Sequence, residues 1–235
     1  MTTAQLQCLH FHDHTTEEAA ARICRRVLAR LHQLQVVEHL QRRIGGVRAG
    51  SASFVWRVGP VGDRLLRQSR GEGGRARRKE PSARHLDHCL AIADCHLALV
   101  TAVRTGRLEL LRVATEPDSW RSYLSVGGAT EVLKPDLYAV TATGEYEDHW
   151  FVEVDRATES LPTLLRKCVQ YERYRRTGRE QAKTGVFPLV VWVVPDEQRA
   201  AKLRAALHSV RGLDPDLFRI TTPEPFAELV GGGSA

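Results

Sequence analysis

Cysteine is scarce and scattered. The five cysteines, Cys8, Cys24, Cys89, Cys95 and Cys168, are odd in number, include no C-x-x-C pair and form no framework of spacings. That excludes a cysteine-built zinc ribbon and a disulfide-stapled secreted domain, and leaves reduced, partly buried thiols as the reading. Also lacking is an apolar run approaching the roughly eighteen residues that cross a bilayer. Met1 is not followed by the charged start and apolar core that mark a leader, so the expectation is a cytoplasmic protein with no membrane partner. Hydrophobic content is not lacking: 43% of 235 residues is enough for one large domain or two small ones with a real core.

The net charge of +6 is unevenly spread. Residues 1–80 carry 15 Lys and Arg against 7 Asp and Glu, a net +8, which leaves a net −2 for the rest. A basic module joined to a near-neutral one reads as a grip on nucleic acid attached to something else, although a surface of merely solvated arginines has the same composition.

Local pattern bears on that choice. Thr15 or Thr16 can cap a helix whose first turn holds Glu17 and Glu18, and the periodicity predicts a helix from Thr16 to about Gln33. Ile23, Val27, Leu31 and Leu34 mark its expected core face, while Arg22, Arg25, Arg26 and Arg30 gather on the other side. Val36–Leu40 then reads as a strand, Arg42–Ser53 as a Gly- and Arg-rich loop, and Phe54–Val58 as a returning strand. Helix, strand, basic loop, strand is the order of a winged helix. In it the helix would enter the major groove of duplex DNA, with Arg42, Arg43 and Arg48 on a wing, after a short helix over Thr3–Phe11.

Residues 1–66 are thus expected to form a winged helix-turn-helix domain and residues 67–82 a basic linker, in which Arg75, Arg77, Arg78 and Lys79 could add phosphate contacts. Residues 83–230 form the second domain, and 231–235 a flexible Gly-rich tail. The second domain begins with a helix over Ala83–Thr105, with Leu86, Leu90, Ala93, Leu97 and Val100 as its apolar stripe and Gly106 as its stop. A strand over Leu108–Ala114, a turn-rich stretch over Glu116–Gly128, and strands over Lys134–Thr141 and His149–Asp155 follow. Next come a helix over Leu161–Arg176, an apolar strand over Pro188–Val194, a helix over Glu197–Val210 and a strand over Leu217–Thr221. This is an α/β (α+β) order with a mixed central sheet.

The chemistry concentrates at Lys134-Pro135-Asp136, at Phe151-Val152-Glu153-Val154-Asp155, and at Lys167 and Tyr171. Acidic groups and a lysine at strand ends are a common way to assemble a magnesium-dependent phosphodiesterase. Mg2+ wants oxygen ligands, and one or two carboxylates with a substrate phosphate complete its shell. Asp136 and Glu153 could be those carboxylates. The bland alternative, ordinary solvated acids on an exposed strand face, is weakened because Glu153 and Asp155 alternate with Phe151, Val152 and Val154.

Strand order and motif together resemble the PD-(D/E)xK nuclease superfamily. At finer grain, Pro135-Asp136, then Phe151-x-Glu153-Val154-Asp155-Arg156-x-Thr158-Glu159-Ser160, then Lys167-x-x-x-Tyr171, is similar to the replication-relaxation family of plasmids and integrative elements. It is also similar to mobilisation relaxases with a restriction-endonuclease-like core. The resemblance runs from about Thr3 to Val230 and implies a winged helix in front of a nuclease-like core. It implies Asp136 and Glu153 as the acids holding Mg2+ or Mn2+, with Asp155 and Glu116 as further candidate ligands. Asp155 stands where most superfamily members have lysine, and Lys167 would replace that cation from the next helix, one turn from Tyr171. Metal polarisation of the scissile phosphate, with Lys167 steadying the developing charge, would complete a nickase. Tyr171 reads more readily as a packing or orienting group than as the nucleophile of a nicking-and-closing reaction.

Two other functions remain open at this level. One is a catalytically inactive replication initiator or regulator that uses the scaffold only to hold DNA; the other is an interaction module for replication or transfer proteins. A homodimer would suit a reader of two half-sites. His10, His12 and His14 read as a solvated loop rather than a metal tract, and His85, His88 and His96 as helix surface or core.

Overall fold

A computed structural model of the protein describes residues 1–40, 54–72, 80–125 and 127–232. The expected wing arginines Arg42, Arg43 and Arg48, and the linker residues Arg75, Arg77, Arg78 and Lys79, lie outside the described residues. The chain divides into two compact units, Met1–Leu97 and Ala98–Ala235.

In the first unit, helix α1 (Thr3–His10) starts with a capping box: Thr2 accepts from the Gln5 N–H while the Gln5 side chain accepts from the Thr2 N–H. Helix α2 (Glu17–Gln33) is capped by Thr16, whose side chain accepts from the Ala19 N–H. Its buried row is Ala20, Cys24 and Leu28, while Ile23, Val27 and Leu31 are half-buried flanks and Leu34 is exposed. The expected stripe is therefore rotated towards small residues. Ala20 and Cys24 carry little hydrophobic signal, but small side chains let α1 and α2 approach closely, and the Cys24 thiol lies 3.9 Å from the Thr3 carbonyl oxygen.

Strands β1 (Val37–Leu40) and β2 (Val55–Val58) pair antiparallel, with Leu40 opposite Val55 and His39 opposite Trp56. Leu40 and Val55 form a small core with Leu86. Helix α3 (Pro60–Ser69) has no counterpart among the expected elements and occupies the first residues read as linker. It docks through Gly62, where a Cβ atom would lie 2.2 Å from the Val36 carbonyl oxygen.

Helix α4 (Ala83–Arg104) runs through both units. Its buried residues are Leu86, Ile92, Cys95, Leu99 and Ala102, so only Leu86 of the expected stripe is fully buried. Among the described residues α4 is the one helix long and apolar enough to cross a membrane by length and composition, with a mean hydropathy of 1.5. The sequence reading overlooked that run because Asp87, Asp94 and three histidines interrupt it.

The second unit continues with β3 (Glu109–Thr115), the hairpin β4 (Arg121–Leu124) and β5 (Thr130–Leu133), β6 (Leu137–Thr143) and β7 (Tyr146–Val154). Helix α5 (Leu161–Arg176), the short α6 (Arg179–Thr184), β8 (Leu189–Val193), α7 (Glu197–Ser209), β9 (Phe218–Thr221) and α8 (Phe226–Val230) complete it. The β4–β5 hairpin lies in and just beyond the stretch expected to be only turns, and α6 and α8 were not expected. The main sheet has the order β3-β6-β7-β8-β9. Its β3-β6 and β6-β7 pairings are antiparallel and its β7-β8 and β8-β9 pairings parallel. The protein is a mixed α/β structure with a mixed central sheet, as expected.

The core joins this sheet to α5 and α7. Phe151, Val190, Trp192 and Phe218 from the strands meet Leu164, Cys168, Tyr171, Leu203 and Leu207 from the helices. Odd-numbered residues of β7 face these helices, so Phe151, Glu153 and the following Asp155 point into the layer where α5 and α7 meet. β8 is apolar throughout because it is buried between two parallel neighbours.

Gly62→Ala should lower the stability of the first unit by about 1–3 kcal/mol, because a methyl group cannot share space with the Val36 carbonyl. Urea unfolding checks this, and an unchanged midpoint would mean that the Val36 backbone yields freely.

Candidate active site

The site is assembled where β6 begins and β7 ends. The antiparallel register pairs Leu137 with Val152, and one step further sets Asp136 opposite Glu153. Pro135 has no N–H to give a ladder. The strand therefore begins at Leu137 rather than at Lys134, as the sequence had suggested, and Asp136 makes the connection with its side chain: its Oδ2 accepts from the Val154 N–H at 2.7 Å. The buried Ser119 hydroxyl donates to the Pro135 carbonyl at 2.6 Å and fixes the turn from the other side.

Glu153 is 1% exposed. Its Oε2 accepts from the Lys167 ammonium in a very short contact, and its Oε1 accepts from the Tyr171 hydroxyl at 2.5 Å. Lys167 and Tyr171 stand four residues apart on α5, the spacing that puts both on one face of the helix. Tyr171 is fully buried against Phe151.

Burial pushes the Glu153 carboxyl up to about 8; Lys167 pulls it down, Asp136 pushes it further up, and the bond from Tyr171 pulls it down. Burial works to lower the Lys167 ammonium, yet Glu153, Asp136 and Glu116 together hold it above its ordinary value. The two shifts have one meaning: the cluster holds positive charge, as proton or ammonium, more tightly than its separate groups would. Burial, with the Glu153 charge beside it, also drives the Tyr171 hydroxyl well above its ordinary value.

Asp155 is committed elsewhere. Its Oδ2 accepts from Arg199 Nε at 2.6 Å, and its Oδ1 accepts from the Ala157 N–H at 2.8 Å. Arg199, from the first turn of α7, also donates to the Glu159 carbonyl at 2.7 Å. The loop between β7 and α5 is thus clamped at both ends, including Ala157 with its left-handed φ of 52°. Glu116 is exposed just past β3, close enough for its charge to act on Lys167. Asp136, Glu153, Lys167 and Tyr171 are therefore brought together, Glu116 stands at their edge, and Asp155 faces Arg199.

Sequence reading missed Arg199 and Ser119. Both act across long stretches of chain, and no local pattern announces them. It also missed a neighbouring buried ion pair, Arg121 Nε to Glu180 Oε1 at 2.6 Å, with the Arg121 guanidinium 4.6 Å above the Tyr138 ring.

On the first unit, Arg22, Arg25, Arg26 and Arg30 are all exposed on the outer face of α2, and no described acid pairs with them. His12 pairs with Asp13 at 3.2 Å. Among the described residues no group of three or more His, Cys, Asp or Glu could by itself hold a metal ion.

A family model described as replication-relaxation matches residues 1–190. The chain belongs to the replication-relaxation family. The match spans the first unit and continues into β8, so Asp136, Glu153, Asp155, Lys167 and Tyr171 all fall inside the family region, whereas Arg199 falls beyond it. A replication role follows from this membership, and DNA and replication proteins are partners compatible with it. No curated protein and no solved structure gave a match.

The raised Glu153 value has a consequence for stability. A carboxyl that holds its proton more tightly when folded releases it on unfolding, so its contribution is full below about 4.5 and is lost as pH rises towards about 8. In chelator-containing buffer the melting temperature of Glu153→Gln should therefore gain on the wild type across that window. Parallel pH profiles for the two proteins would show that the carboxyl is not perturbed.

Proposed function

We propose that this replication-relaxation protein serves a plasmid or other mobile element, gripping duplex DNA with its first unit and cleaving one phosphodiester at the Asp136–Glu153–Lys167 site. The observation that carries the reading is the placement of two buried carboxylates opposite each other across β6 and β7, with the ammonium of Lys167 from α5 bonded to one of them. A PD-(D/E)xK-like core would be arranged in this way, and α1, α2, β1 and β2 follow the order expected of a winged helix.

The donor set suits Mg2+ or Mn2+: hard carboxylate oxygens, buried, in a cluster avid for positive charge. Asp136 and Glu153 would hold the ion, with Glu116 in reach as an outer acid. When bound, such a cation supplies Lewis-acid polarisation of the phosphate and a more acidic coordinated water. The chain's own groups do the rest. Tyr171 fixes the rotamer of Glu153 through its hydroxyl, a role that suits its complete burial and strongly raised pKa better than attack on a phosphate. Lys167 neutralises charge on the phosphoryl oxygens. Asp155 and Arg199 hold the loop that starts α5 and so keep Lys167 in register.

The exposed arginines of α2 would contact phosphates and groove edges, alone or as a dimer on two half-sites. A second reading, a catalytically retired initiator or regulator, is favoured by one feature: both Glu153 oxygens are already satisfied by Lys167 and Tyr171.

Supercoiled plasmid incubated with the full-length protein and Mg2+ or Mn2+ separates the two. Nicked or relaxed product is expected from the wild type, with loss of cleavage but not of DNA affinity in Glu153→Ala and Lys167→Ala. Binding without cleavage by every protein would leave the regulator. For the grip, replacing Arg22, Arg25, Arg26 and Arg30 with alanine should weaken DNA binding and flatten its salt dependence by roughly 0.9 in log–log slope for each phosphate no longer neutralised. An unchanged slope would remove α2 from the interface.

A further inference from the structure

Resting on the metal reading above, we infer that Lys167 is a tethered stand-in for the divalent cation, occupying the carboxylate it would use and released towards substrate only when the ion arrives. The Lys167 ammonium lies against Glu153 Oε2, and the other acids whose charge acts on it are Asp136 and the exposed Glu116. Tyr171 fills the other oxygen, Oε1. A carboxylate this deep cannot stay unmatched, and the ammonium matches it.

A divalent ion and an ammonium cannot share that oxygen at close range, because like charges repel strongly where water is excluded. Charge balance favours exchange over coexistence: two carboxylates with one dication are neutral, and an ammonium kept between them would add an excess positive charge. The lysine is built to leave. Its head is buried against Glu153 but its side chain as a whole is 29% exposed, so the stem meets solvent and rotation about it can carry the head outward without unfolding α5. Outward is where a phosphate would lie. The exchange links the two ligands, since metal frees the cation that phosphate needs, and phosphate by reciprocity favours the metal-loaded state.

The test uses full-length wild type and Lys167→Met with Mn2+ alone, followed by calorimetry and by the loss of the free-ion spin-resonance signal. The variant should bind Mn2+ about tenfold tighter or more, since an opposite charge beside a carboxylate shifts its cation affinity by one to three decades. Adding Asp136→Asn to Lys167→Met should abolish the gain. Equal affinities in wild type and Lys167→Met would overturn the inference while leaving the metal site intact. No binding by either protein would overturn the metal reading and this inference together. A measurement on the wild type covers poor folding of the variant. Reductive methylation read by mass spectrometry should rise severalfold at Lys167 on saturation with Mg2+ while Lys134 stays constant, and an unchanged Lys167 would sink the exchange.

Discussion

The Glu153 carboxyl, at the end of a central strand and almost wholly inside the protein, needs donors or a cation. Much of the second unit is arranged around that need. Lys167 and Tyr171 reach it from successive turns of α5. Asp136, set opposite by the register of β6 and β7, adds a second negative charge and is itself held by the Val154 N–H. The packing of Phe151, Tyr171 and Cys168 seals the cluster from below, and burial takes the Cys168 thiol to about 12, so it takes no part as a charged group. Such an arrangement costs stability compared with an apolar core, and a protein that keeps one commonly uses it.

A second layer supports the first. The β7–α5 loop turns through Ala157 in a conformation that favours glycine, and what holds it there is non-local: Asp155 bridges the Ala157 N–H and the Arg199 guanidinium, and Arg199 in turn binds the Glu159 carbonyl. Because α5 starts at the end of this loop, the clamp sets the height of Lys167 and Tyr171 above the strand. Asp155 thus has a structural reason to be acidic: it anchors the loop that starts the helix carrying Lys167.

Much of this was legible in the sequence because it is local. Thr16 before Glu17 and Glu18 marks α2, and the unbroken apolar run at Leu189–Val193 marks a doubly covered strand. The Glu153-x-Asp155 alternation marks a strand with one acidic face. What was not legible depends on small residues or on distance along the chain. The true core row of α2 runs through Ala20 and Cys24, which a hydrophobic pattern underweights. The β4–β5 hairpin is hidden by its short strands and glycine-rich turn, and α3 by its exposed leucines. The partners of Asp155 and Pro135 are Arg199 and Ser119, separated from them by 44 and 16 residues.

The family match helps to separate chemistry from scaffold. It ends at residue 190, inside β8, yet the layer that encloses Glu153 also needs Trp192, Leu203, Leu207 and Phe218 from beyond that point. The reacting groups proposed here all precede the boundary, while the clamp residue Arg199 and seven of the 17 buried residues of this core cluster follow it. The charged cluster closes on itself within the matched region, through Asp136, Glu153, Lys167 and Tyr171, and the later elements add packing and a single positioning arginine. The polar contacts of Glu153 thus come from inside the matched region, and much of the packing that keeps them from water comes from outside it.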